Sequence, residues 1–210
     1  MIQNIKNIQI KKSLPLLICD ADEVIFEFMK SFEKYLKENQ MYFLYKSFNL
    51  NGNVFSLHNN KPINTKMIPN TISNFFKNYT SKMPLINGAK NSLKELNKIM
   101  NIIILSNIPE VYALDRYNYL KKNNMNYYFL FNKGPKGDIC KQLKQLTNKK
   151  TFFMDDLPNQ LISVKNNSKE ITTIHFLQNK KLLKILPKNI ESDHKARDWS
   201  EAKNIILKNI

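Results

Sequence analysis

Acidic side chains gather at two places in a chain that is otherwise strongly basic. In "LICDADEVIF", residues 17–26, Asp20 and Asp22 stand one residue apart straight after an apolar run, and in "FFMDDLP", residues 152–158, Asp155 and Asp156 are adjacent after another. Like charges about 4 Å apart repel by roughly 4 kcal/mol at an effective dielectric near 20, so bringing these acids together makes chemical sense only with a cation among them. Carboxylate oxygens with no histidine nearby point to Mg²⁺, which is commonly held by one or two carboxylates, waters and a substrate phosphate. Two further stations carry the right groups for an anionic substrate: Ser106 and Asn107 after "NIIILS", and Lys136 in "GPKGD".

For these residues to meet, the chain must place them at one edge of a common scaffold. Apolar runs that read as buried strands recur at 14–19, 101–106, 127–131, 151–154 and 172–177. Near-continuous apolar runs are the signature of strands covered on both faces. Between the later runs lie helical spacings: Leu93, Leu96 and Met100, then Leu143 and Leu146, with Pro109 and Pro158 where a first helical turn begins. Strand alternating with helix predicts an α/β fold, a Rossmann-like parallel sheet with helices on both faces. In such sheets ligands bind beyond the carboxyl ends of the strands, which is where Asp20, Asp22, Ser106, Asn107, Asp155 and Asp156 fall, with Lys136 opening the helix after the third strand. "RDWSEAKNIIL" reads as a last helix with Asp198 as N-cap and Glu201 three residues on, Trp199 serving as its anchor.

No second parallel strand arrives on schedule after the first. Residues 23–84 therefore read as a small, mostly helical insert, and 1–22 with 85–210 as the core. One helical face is spaced through Ile25, Met29, Phe32 and Leu36, another through Ile68, Ile72, Phe75, Phe76 and Tyr79, with an Asn51-Gly52 turn between them.

Composition narrows the function classes. A chain of 210 residues suits one substantial core plus an insert. The formal charge of +16 comes from 33 Lys+Arg against 17 Asp+Glu, but only Arg116 and Arg197 are arginine, whereas a dedicated nucleic-acid reader would enrich the planar fork of arginine. The excess lysines read as solvated surface charge, and nucleic acid is a secondary expectation. No apolar stretch reaches the roughly 18 residues of a membrane span, and "MIQNIKNIQIKK" lacks the apolar centre of a secretory signal, so the expectation is a cytoplasmic protein with no membrane partner. Cys19 and Cys140 lack zinc-site spacing, and His58, His175 and His194 form no metal pattern, with His175 reading as a hydrogen-bonded core residue. The oligomeric state is not encoded in any of these patterns.

Taken in order, "CDADEV", "IILSN", "GPKGD" and "FFMDDLP" resemble the four motifs of the haloacid dehalogenase (HAD) superfamily, and the match is spread over most of the chain. "MPLINGAKNSLKEL" is similar to the return from cap to core, with Asn87 where members often carry proline. The resemblance implies a phosphatase with a small C1-type cap, acting on a small phosphorylated metabolite. It implies that Asp20 attacks phosphorus to give an aspartyl phosphate, that Asp22 is the general acid/base, and that Ser106, the Asn107 amide and Lys136 hold the phosphoryl oxygens. Asp155 would be the direct ligand of Mg²⁺ beside Asp20 and the Asp22 carbonyl, with Asp156 further out or acting through water. Glu23 departs from the pattern, because many members have glycine there.

Each station has a plainer reading alone: a polar strand end at Asp20 and Asp22, a capping hydroxyl at Ser106, a surface lysine at Lys136 with Lys133 as its rival, and an N-cap at Asp155 or Asp156. Their joint order at strand ends is what argues for a site. A response-regulator receiver domain shares the residue types, but there the acidic pair comes first and the lysine late. Alternatives within the same fold are a 5'-nucleotidase-like enzyme, a nucleic-acid-end phosphatase, and a non-catalytic member that binds phosphorylated ligand or nucleic acid.

Overall fold

The computed structural model describes residues 5–210. Residues 1–4, the head of the expected core segment 1–22 and of the stretch whose composition argued against a secretory signal, lie outside the described residues. Six parallel strands form the central sheet: β1 (Leu16–Cys19), β4 (Asn101–Ser106), β5 (Tyr128–Phe131), β6 (Thr151–Asp155), β7 (Thr172–Phe176) and β8 (His194–Ala196). Their order is β5-β4-β1-β6-β7-β8. The chain thus builds outward from β1 on one side, then crosses back to build on the other, and β1 lies at the point where that direction reverses. Such a switch opens a crevice at the carboxyl ends of the strands, because the connections on either side of it leave toward opposite faces.

Alternation along each strand supplies both faces. Leu17, Cys19, Ile102, Ile104, Phe152 and Met154 point into one core layer, while Leu16, Ile18, Ile103, Leu105 and Phe153 point into the other. The helices α3 (Ala89–Leu96), α4 (Ala113–Lys122) and α8 (Trp199–Lys208) cover the first layer through Leu93, Leu120 and Ile206. The second is covered by α5 (Gly137–Lys144) and α6 (Pro158–Asn167) through Leu143 and Leu161. Leu96, Leu120, Leu143, Leu161 and Ile206 are all essentially inaccessible to water. Each such side chain contributes on the order of 1.5–3 kcal/mol relative to exposure.

The final helix forms as its sequence predicts. Asp198 accepts a hydrogen bond from the Glu201 amide at 2.8 Å, and Glu201 accepts one from the Arg197 amide at 2.7 Å, a reciprocal cap that satisfies two otherwise unpaired donors. Trp199 is buried and donates from Nε1 to the Val24 carbonyl at 2.8 Å, tying this helix to the loop after β1. Gly88 packs against the same tryptophan at φ +83, where an added Cβ would lie 3.1 Å from Trp199 Cβ. Both the left-handed backbone and the close approach require glycine there.

Between β1 and α3 lies the insert. It contains α1 (Phe28–Glu38), an antiparallel pair β2 (Met41–Phe43) and β3 (Val54–Ser56), and α2 (Ile68–Tyr79). Two corrections to the expected pattern arise here. Ile25 is buried but precedes α1, inside a tight turn in which the Ile25 and Phe26 amides both donate to the Ala21 carbonyl. The hairpin β2–β3 adds a short piece of sheet to a segment expected to be mostly helical, with Gly52 at φ +78 in the connecting loop. A four-residue helix α7 (Lys180–Leu183) stands between β7 and the edge strand β8. Among the described residues no helix is long and apolar enough to cross a membrane.

Candidate active site

The register of the sheet sets the geometry of the crevice. β1 pairs Cys19 with Met154 of β6, which brings Asp20, the next residue, level with Asp155. Asp20 is buried, and so are Asp155, Asp156, Lys136 and Ser106. Asp20, Asp155 and Asp156 each present a carboxylate oxygen within 4.8 Å of the others. Lys136 Nζ donates to Asp20 Oδ1 and, at 2.7 Å, to Asp155 Oδ2, so one ammonium bridges acids that are 135 residues apart in sequence. Lys133, its rival by sequence, is exposed.

Charge in this cluster is unbalanced. Three buried carboxylates face one ammonium, which leaves two negative charges over when all are ionised. Burial raises the Asp20 carboxyl to about 7 against the pull of Lys136, with Asp155 and Asp22 pushing it further up. Burial likewise raises Asp156, reinforced by Asp155 and Asp20. For Lys136 burial favours the neutral amine, but Asp155 and Asp20 outweigh it and keep the side chain protonated. A divalent cation would supply the two missing positive charges, and the donor set is oxygen throughout, so the residues present fit a hard cation such as Mg²⁺.

The other sequence-predicted residues close the ring. Asp22 stands outside the cluster, accepting from Ser106 Oγ at 3.3 Å through Oδ2. Asn107 is exposed at the mouth, where its Nδ2 donates to the Gly134 carbonyl at 2.9 Å and its Oδ1 accepts from Asn132 at 2.8 Å. This links the end of β4 to the loop that carries Lys136. Asp155 Oδ1 accepts from the Leu157 amide at 2.9 Å, and the Asp156 carbonyl accepts from His175 Nε2 at 2.9 Å. Burial holds the His175 imidazole below its ordinary range, so the ring is neutral and carries its hydrogen on Nε2. Six of the seven predicted residues thus line one crevice, and Ser106, fully buried, joins it through its bond to Asp22.

Sequence reasoning missed the groups that hold these residues in place. Arg116, fully buried on α4, pairs with Asp22 Oδ1 at 2.9 Å and stacks over the Phe26 ring at 4.4 Å. Its spacing with Ala113 and Leu120, both buried, puts it on the core-facing stripe of α4. That position, in a chain with 33 basic residues and only two arginines, was the available signal. The Lys136 amide donates to Gln160 Oε1 at 2.9 Å and the Gly137 amide to Ser163 Oγ at 3.0 Å, so side chains of α6 satisfy the open N-terminus of α5. Gly137 permits this approach, because a Cβ there would lie 2.4 Å from the Ser163 carbonyl oxygen.

Glu23, the departure from the expected glycine, has a structural account. Its backbone sits at φ +59, the left-handed region that glycine enters without steric cost. Its carboxylate accepts from the Met29 amide at 2.8 Å, in the first turn of α1, and from Asn179 Nδ2 at 2.9 Å. A negative group at a helix N-terminus is stabilising, and α1 has no side-chain cap from its own N-cap residue, Glu27. Burial raises the Glu23 carboxyl while these two donors draw it back down.

No family model matches the chain, and no curated protein matches its sequence. Solved structures do. An HAD family hydrolase from Deinococcus radiodurans, crystallised with bound phosphate and sodium, superposes with a TM-score of 0.62 at 11% identity, covering 94% of this chain and 96% of that one. The chain has the haloacid dehalogenase fold. A haloacid dehalogenase-like family protein from Streptococcus pneumoniae gives a TM-score of 0.59 at 12% identity over 93% of this chain and 99% of its own. A predicted phosphoglycolate phosphatase from Haemophilus somnus gives 0.60 at 12% over 93% and 99%. At these identities the likeness carries the haloacid dehalogenase architecture, and the chemistry rests on the residues of this chain.

Proposed function

We propose that this protein is a phosphohydrolase of small phosphate monoesters that works through an aspartyl phosphate on Asp20. The observation that carries the reading is that Asp20 and Asp22 share one loop at the switch point of the sheet, with Lys136 bridging Asp20 to Asp155. The Deinococcus neighbour's bound phosphate supports a phosphate-handling crevice in this fold.

In the first half-reaction an Asp20 carboxylate oxygen bonds to phosphorus as the ester P–O bond breaks, and Asp22 gives its proton to the departing oxygen. In the second, water attacks phosphorus while Asp22 takes a proton back, releasing phosphate and restoring Asp20. Of the four acids, Asp22 alone stands outside the carboxylate cluster, held by Ser106 and Arg116, so it can exchange protons on the leaving-group side. Ser106 and Asn107 bind phosphoryl oxygens opposite Lys136, whose ammonium orients Asp20 and offsets substrate charge. Asp20, Asp155 and the Asp22 carbonyl would hold Mg²⁺, with Asp156 beside them. When bound, the ion screens the negative charge of nucleophile and phosphoryl group as they approach. Residues 23–84 act as a C1-type cap, excluding water from the covalent intermediate. Two free, buried thiols, Cys19 and Cys140, fit a reducing cytoplasmic setting.

The test is release of phosphate from p-nitrophenyl phosphate. Wild-type protein with Mg²⁺ turns it over, chelation stops it, and Asp20→Asn lowers the rate by on the order of 10³-fold or more while the circular dichroism spectrum is kept. An Asp20→Asn protein that still hydrolyses the ester at the wild-type rate overturns the assignment.

A further inference from the structure

The crevice has two kinds of wall. Its floor is Asp20, Asp22, Lys136, Asp155 and Asp156, and above them a cavity of about 240 Å³ is lined from the insert by Phe28, Phe43, Phe48, Leu50, Ile72 and Phe76. Leu182 of α7 adds another apolar group from the core. Lys136 is the sole cation in that lining, and two carboxylates already engage it. The neutral polar side chains of the lining, Asn107 and Gln160, both bond to the Gly134 carbonyl or to the start of α5.

From this division we infer that the substrate is a phosphate monoester whose leaving group is apolar, carries a ring or branched hydrocarbon body, and has no second anionic group. The inference rests on the phosphohydrolase reading for the floor and extends it to the body of the ligand. A sugar hydroxyl under this roof would give up its water for carbon atoms, because the one acid the insert adds to the lining, Glu23, already accepts from the Met29 amide and Asn179, and an unpaired polar group in such a place costs on the order of 1–3 kcal/mol. A second phosphate or carboxylate would find no counter-ion. An apolar body instead gains by leaving water, and rings meet Phe28, Phe48 and Phe76 in the stacked or edge-on contacts that aromatic groups favour.

Binding and turnover test the inference separately. In titration calorimetry with Mg²⁺, benzylphosphonate, which cannot be hydrolysed, should bind at least about tenfold more tightly than inorganic phosphate, and phosphonoacetate no more tightly than phosphate. In turnover, phenyl phosphate should exceed glucose 6-phosphate in kcat/KM by on the order of 100-fold. Leu50→Lys should invert the order, weakening benzylphosphonate about tenfold and tightening phosphonoacetate. Leu50 is half-buried in the loop between β2 and β3, so a lysine there can reach water from its stem and the fold is kept. Equal binding of benzylphosphonate and phosphate, or a preference for the sugar ester, overturns the inference. Tight benzylphosphonate with no hydrolysis of any ester upholds the ligand class and overturns the phosphohydrolase reading instead.

Discussion

The floor of the crevice and its roof are built by opposite rules. Four of the five charged side chains of the floor are held by named partners: Asp20 and Asp155 by Lys136, Asp22 by Arg116 and Ser106, and Asp155 also by the Leu157 amide. The roof is held by shape. Phe75 alone contacts the rings of Phe28, Phe32, Tyr35, Phe76 and Tyr79, with centroids 5.1–5.7 Å apart. Polar networks fix geometry to within a hydrogen bond, whereas an aromatic cluster tolerates substitution so long as volume is kept. The polar floor can therefore be kept while the roof above it is changed.

The strongest way to break the contrast is Asp22→Asn, because Asp22 alone joins reactivity to structure. Turnover should fall by about 10³-fold, equivalent to about 4 kcal/mol of barrier, and the protein should also lose stability as the buried guanidinium of Arg116 is left without its counter-ion. Steady-state kinetics and urea unfolding of the same preparation read the two effects, and unchanged stability would mean that the Arg116 pair is immaterial. Phe75→Ala sharpens the contrast from the other side. Its ring is fully buried, so truncation should cost about 3 kcal/mol in unfolding free energy, with KM for an apolar ester rising more than kcat falls. A selective loss of kcat would place Phe75 in the floor's service.

The smallest effect concerns the charge imbalance beneath the roof. The folded state holds the Asp20 proton up to about 7, above the ordinary carboxyl value of the unfolded chain. The stability from that proton is fully present at acidic pH below the unfolded value and is lost as pH rises through about 7. A divalent cation competes with the proton for the same oxygens, so the gain in Tm on adding Mg²⁺ should grow between pH 5.5 and 8.5. At saturation it should reach a few degrees, about 1–2 kcal/mol. Thermal scans across that range decide it, and a pH-independent gain would show that the ion does not displace a proton here.

How much of this was readable in the sequence follows the same division. Asp20, Ser106 and Asp155 were legible because a parallel strand buried on both faces is a continuous apolar run, and the residue at the end of such a run is placed by the sheet itself, whereas Lys136, at the start of α5, was legible from its order among the motifs. The edge strand β8 was hidden, since three residues reading His-Lys-Ala carry neither length nor apolar signal. The hairpin β2–β3 was hidden for the same reason, each strand being three residues long. Arg116 offered only its rarity and its place on the apolar stripe of α4, and Gln160 offered no signal, because their roles depend on which helix faces which, α4 toward the loop after β1 and α6 toward the start of α5. Glu23 was read as an anomaly in the motif, and only the position of the Met29 amide explains it.

That glutamate has a mechanical consequence. Its carboxylate clasps the first turn of α1 and the turn that begins α7, while its backbone is the residue next to Asp22. A ligand that lifts or seats the insert would therefore tug on the very link that carries Asp22, the proposed proton donor, so that filling the upper chamber and placing that acid below it would become a single coupled movement.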